Sequence, residues 1–89
     1  MRSTTTARFW KLYAELPEEV QQRADAAYEL WQINPQAHGL YFKLVGKQRP
    51  VYSVRIGRGH RALGIREGDS VLWFWIGLHD EYERLLKHL

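Results

Sequence analysis

With 89 residues, 45% of them hydrophobic, and no cysteine, the chain is expected to form one domain spanning residues 1–89 and held by packing alone. Disulfides, thiolate metal sites and cysteine nucleophiles are excluded. The net charge of +3 conceals a polarised chain: no acid occurs from Leu30 to Arg66, where Lys43, Lys47, Arg49, Arg55, Arg58, Arg61 and Arg66 carry +7, against −1 over residues 1–29 and −3 over residues 67–89.

Phe9, Leu12, Tyr13 and Leu16 recur at helical spacing behind Thr4 to Thr6, which supply an N-cap. Pro17 ends this helix and suits the first turn of a second. Glu18 and Glu19 follow, where carboxylates favour the positive end of the helix dipole, and Val20, Ala24, Ala27 and Trp31 form one stripe. Asn34-Pro35 closes that helix, because the residue before a proline is pushed out of helical geometry.

Beyond Gly39 the period changes to two. Segments 40–45 and 51–56 alternate as half-buried strands, and Gly57-Arg58-Gly59 has the composition of a tight turn. His60–Glu67 forms a third strand, and Val71–Ile76 is apolar on both parities, as expected of a strand covered on both faces. A last helix carries Tyr82, Leu85, Leu86 and Leu89 on one stripe. The expected architecture is α+β: two N-terminal helices packed on a four-stranded antiparallel sheet, followed by a short C-terminal helix. No apolar run approaches the ~20 residues of a membrane span, and Met1–Thr6 lacks the hydrophobic segment of a secretory signal. A cytoplasmic domain without membrane contact is expected.

Arg55 shares parity with Ser53 and opposes Tyr52, Val54 and Ile56, so it projects away from the helical pair. Arg58 and His60 flank the turn, and Arg61 opens the next strand. A sheet face with several guanidinium groups and few acids suits phosphates, because arginine offers forked, charge-assisted hydrogen bonds. His79 stands where the fourth strand gives way to the last helix, three residues before Tyr82, a spacing that brings the two side chains together. At a helix start, the dipole favours the neutral imidazole, a proton acceptor. His38, His60, His79 and His88 show no metal-ligand spacing, so neither a metal nor any other cofactor is expected. The Trp73-Phe74-Trp75 run is expected to be core.

The segments Leu16-Pro17, Tyr52-Ser53-Val54-Arg55-Ile56-Gly57, Arg61-Ala62-Leu63-Gly64 and Trp73-Phe74-Trp75-Ile76-Gly77-Leu78-His79-Asp80-Glu81-Tyr82 resemble the RelE/ParE superfamily of bacterial type II toxins, over about Phe9 to Leu86. The resemblance implies the RelE-like fold and, for RelE-type members, a ribosome-dependent endoribonuclease. Such a protein cuts mRNA in the ribosomal A site by metal-free attack of the 2′-hydroxyl and is silenced by a cognate antitoxin protein. It implies Arg55 and Arg61 as phosphate ligands, His79 at the position of a catalytic Arg or His, and Tyr82 as the aromatic that stacks on or orients a base. Lys43, Lys47, Arg58 and His60 are implied as RNA contacts. RelE itself carries two lysines on the second strand of the sheet, where this chain has Ser53 and Arg55, and some RelE relatives use histidines. A guanidinium is a poor base, so the acid–base role passes to His79, with Lys43 or His60 as substitutes. The other class in the superfamily is a ParE-like inhibitor of DNA gyrase with no catalytic residues. A third reading is a basic nucleic-acid-binding module without toxicity.

Overall fold

The computed structural model describes residues 1–89, in the order β1 (Arg2–Thr5), α1 (Ala7–Ala14), α2 (Glu18–Ile33), β2 (Lys43–Leu44), β3 (Val51–Ile56), β4 (His60–Glu67), β5 (Ser70–Leu78) and α3 (His79–Leu86). The strands form one sheet in the spatial order β1-β5-β4-β3-β2. Strands β2 to β5 make the expected antiparallel meander, and the class is α+β. The sheet has five strands instead of four and is mixed, because Arg2–Thr5 pairs parallel to β5 from Arg2 opposite Ser70 to Thr5 opposite Trp73. Four residues rich in threonine read equally well as a helix cap. What makes them a strand is the β5 edge, supplied from the other end of the chain.

Local chemistry sets the helix ends. Thr6 caps α1, its hydroxyl oxygen accepting from the Phe9 amide at 3.1 Å. Pro17 stands one position earlier than expected, as the N-cap of α2, and places Glu18 and Glu19 in the first turn. Asn34 is the C-cap. The first expected strand, 40–45, shrinks to Lys43–Leu44 because Tyr41 adopts a left-handed backbone with φ of 48°. The segment stays at the sheet edge, since the Arg55 amide donates to the Leu40 carbonyl at 2.7 Å.

Helices cover the sheet on both sides. Ala24 and Trp31 of α2 pack with Phe42, Val54, Ile56, Ala62, Trp73 and Ile76 in the larger cluster, where Trp31 meets Phe42 and Trp73 edge-on. On the other face Tyr82 of α3 packs with Val51, Leu63 and Trp75. Parity along β3 follows this division: Val54 and Ile56 belong to the first layer, while Val51 packs in the second and Ser53 meets Tyr82 there. Strand β5 serves both layers through a β-bulge. Leu63 lies opposite Trp75 and Gly64 opposite Trp73, leaving Phe74 as the extra residue. Trp73 and Trp75 thus reach opposite faces although they are two residues apart. Gly64 permits this arrangement, since a Cβ there would stand 2.5 Å from Val71 Cγ1 and 2.8 Å from Trp73 Cε3. No helix of the chain is long and apolar enough to cross a membrane.

Candidate functional site

Between α3 and the open half of the sheet lies a groove of about 610 Å³, whose floor is built by β3 and β4. Arg55 and Arg61 are direct partners across these strands, so pleating sends both side chains to the same face. Backbone carbonyls in and beside the β3–β4 turn hold them. Arg55 Nε donates to the Gly57 carbonyl at 3.2 Å, and Arg61 Nη1 donates to the His60 carbonyl at 2.7 Å. Ion-pair contacts within 4.0 Å are confined to His79, so neither guanidinium is neutralised by a carboxylate. Burial pushes the Arg61 pKa below its ordinary value and the Arg55 charge adds to this, while Tyr82 and Glu83 act in the opposite direction. Arginine remains protonated regardless. Two adjacent cations turned toward the groove without a counter-ion are chemically able to hold an anion, since their remaining N–H groups can fork onto phosphate oxygens.

His79 is the first residue of α3 and forms one wall. Its Nε2 lies 3.2 Å from Glu83 Oε1, one helical turn on, and its Nδ1 lies 4.0 Å from Asp80 Oδ1. The imidazole and the Tyr82 ring have centroids 5.7 Å apart, as the three-residue spacing predicts. Tyr82 is only 5% exposed, its ring lies 5.9 Å from Arg61 Cζ, and its hydroxyl donates to the buried Ser53 hydroxyl oxygen at 3.3 Å. Tyr82 is thus a floor beneath Arg61, with little free ring surface. The exposed ring at this groove is Tyr41, 5.3 Å from Arg55 Cζ. Lys43, opposite Ser53 on the edge strand, completes the rim.

The groove therefore unites Lys43, Arg55, Arg61, His79 and Tyr82. Lys47, Arg58 and His60 lie outside it. Lys47 is in the β2–β3 loop, where its amide donates to the Leu89 carbonyl, and Arg58 is exposed on the turn. His60 pairs with Ile56 and so faces the α2 side. There burial lowers its pKa below 6.5, and the charges of Arg23 and Arg61 add to the effect. Tyr41 and Glu83 are polar side chains of the groove outside the expected set. Glu83 was accessible through its i, i+4 relation to His79. Tyr41 left no signal, because its placement depends on a backbone conformation uncommon for a bulky side chain.

A meander backed by a helical hairpin and closed on its other face by a short helix is the fold this chain shares with RelE and ParE toxins. The family model for the ParE-like toxin domain matches residues 18–84, and the chain belongs to that family. Among solved structures, it is similar to a YoeB/ParE toxin from Agrobacterium tumefaciens, with a TM-score of 0.68 and 15% identity over 89% of this chain and 99% of that one. It is also similar to the isolated RelE toxin of E. coli, with a TM-score of 0.66 and 16% identity over 99% of this chain and 98% of that one. RelE in the RelE–RelB complex of Pyrococcus horikoshii matches with a TM-score of 0.66 and 16% identity over 86% and 92% of the two chains. At this identity these likenesses speak to the fold. No curated protein sequence matches the chain.

Proposed function

We propose that the chain is the toxin of a toxin–antitoxin pair and acts as a ribosome-dependent endoribonuclease on mRNA. The observation that carries this reading is the pair of uncompensated guanidiniums, Arg55 and Arg61, facing each other beside the His79–Glu83 contact in one groove. Cleavage requires the 2′-hydroxyl to bond to phosphorus while the P–O5′ bond breaks, leaving a cyclic phosphate. Arg55 and Arg61 stabilise the charge that gathers on the phosphoryl oxygens. His79 takes the 2′-hydroxyl proton, with Glu83 orienting the ring and stabilising its cation. With His60 on the opposite face, Lys43 at the rim of the groove supplies the proton for the leaving 5′ oxygen. An antitoxin is the expected protein partner: the P. horikoshii relative was solved as a RelE–RelB complex and an E. coli relative as a toxin–antitoxin complex. The basic groove favours an antitoxin segment bearing acidic side chains.

In a reconstituted translation assay the purified chain should arrest synthesis with cuts inside codons, and Arg61→Ala or His79→Ala should lower their rate by about 10²-fold or more. Full cleavage by both variants would refute the site. The family match to ParE-like toxins and Ser53 in place of a strand lysine favour a second reading, inhibition of DNA gyrase without catalysis. Inhibited supercoiling with intact mRNA would select it.

A further inference from the structure

The face of the sheet opposite the groove is not completely filled. On α2, the two alanines of the sheet-facing stripe, Ala24 and Ala27, lie over Val54 and Ile56, and neither is long enough to fill the layer between helix and sheet. A cavity of about 210 Å³ results, with the indoles of Trp31 and Trp73 among its walls. Apolar cavities of ~150 Å³ are large enough to take up benzene. This one carries an additional feature. Trp31 is 1% exposed and Trp73 5%, yet the Nε1–H of each finds no acceptor in the protein. A buried donor without a partner costs free energy that a bound acceptor recovers.

The mouth is also built. Three side-chain hydrogen bonds join the three surrounding elements pairwise around the cavity. Ser3 and Tyr28 share one between β1 and α2, Tyr13 donates to Asp25 Oδ1 at 2.7 Å between α1 and α2, and Trp10 Nε1 donates to Thr5 Oγ1 at 2.6 Å between α1 and β1. All three are solvent-exposed and open at little cost. An apolar chamber, a polar rim and two lining indoles whose N–H groups are unpartnered are the features of a small-molecule pocket.

We propose that this cavity binds a small aromatic molecule of one or two rings bearing a hydrogen-bond acceptor, its ring between α2 and the sheet and its acceptor on the indole N–H groups of Trp31 and Trp73. Tight packing against Ala24 and Ala27 sets the size limit. The donors set the polarity, so an aryl carbonyl binds in preference to the alkylbenzene of the same shape.

The test uses acetophenone and ethylbenzene as a matched pair on the ¹⁵N-labelled full chain, whose four tryptophans give four indole N–H resonances. Acetophenone should bind saturably, move the two resonances assigned to Trp31 and Trp73, and raise the melting temperature. Ethylbenzene should bind at least several-fold more weakly without moving them. Ala27→Leu, which fills the chamber, should abolish the response, and Ala24→Val is the milder filling variant if the first does not fold. The proposal is overturned by the absence of saturable binding, by equal binding of the two probes, or by unchanged binding in the folded filling variant. It is likewise overturned if the two resonances respond to protein concentration in parallel with dimer formation, which would assign the cavity to a second copy of the chain. Cross-relaxation of both indole protons with trapped water that persists under saturating acetophenone would make it a hydration site and count against it equally.

Discussion

Docking of α3 centres on Tyr82, with the partly buried Leu85 and Leu86 packed beside it, which makes Tyr82 the most informative position in the molecule. The helix has eight residues, and Tyr82 is its only buried one. Helices shorter than ~12–15 residues are marginal on their own in water, so α3 persists because Tyr82 fills the layer formed by Val51, Leu63 and Trp75. Truncating a buried aromatic to alanine costs about 3–5 kcal/mol. An 89-residue domain holds about 4–13 kcal/mol in total, so Tyr82→Ala should remove a quarter or more of the stability and release α3, taking His79 from the groove. Tyr82→Phe keeps the ring and removes only the 3.3 Å hydrogen bond to Ser53, a residue 2% exposed. That change should cost about 1 kcal/mol, or about 4–8 °C in melting temperature for a domain of this size. Urea unfolding of Tyr82→Phe, Ser53→Ala and the double variant closes a thermodynamic cycle in which the two single costs should overlap by most of the hydrogen-bond energy. Strict additivity, or a Tyr82→Ala variant within about 1 kcal/mol of the parent, would refute the claim that this contact anchors the helix.

Other expectations follow from the same geometry. Arg55→Ala and Arg61→Ala should each lower RNA cleavage about 10²–10³-fold and reduce the salt slope of RNA binding by about one. Single-turnover cleavage and a binding titration at several ionic strengths check this, and an unchanged slope would place the phosphate elsewhere. Gly64→Ala forces a methyl against Val71 and Trp73 at the bulge and should destabilise by about 1–3 kcal/mol in a denaturant titration. The His60 pKa is lowered in the folded state, so the unfolded chain binds the proton more tightly and this residue withdraws stability as pH falls from 6.5 through the lowered value. His60→Gln should therefore gain on the parent between about pH 7.5 and 5, and an unfolding difference independent of pH would contradict the assignment.

Much of the groove can be read along the chain. The acid-free window from Leu30 to Arg66, the parity that puts Arg55 with Ser53, and the spacing of His79 and Tyr82 all concern residues whose relative placement is set by strand or helix period. The same local rules place the Thr6 cap, the α2 stripe and the meander. Lys47, Arg58 and His60 belong to the same acid-free window but lie outside the groove, because charge near a turn does not specify a sheet face; His60 points to α2 because Ile56 is its partner.

What the chain by itself determined is whatever the 3.6 and 2 residue periods encode: helix faces, strand faces, caps, and the concentration of cations at its centre. Tertiary structure decided what depends on a partner distant in sequence. The β5 edge turns a threonine-rich start into β1, the bulge opposite Gly64 sends Trp73 and Trp75 to different layers, and the helical hairpin and α3 settle on opposite faces. Tyr41 takes its strained place beside Arg55, and two alanines of α2 meet a sheet they do not fill. The physical reason is common to all of these: a side chain's periodicity fixes its direction along its own element, whereas what it meets there is set by the packing of elements that share no local sequence.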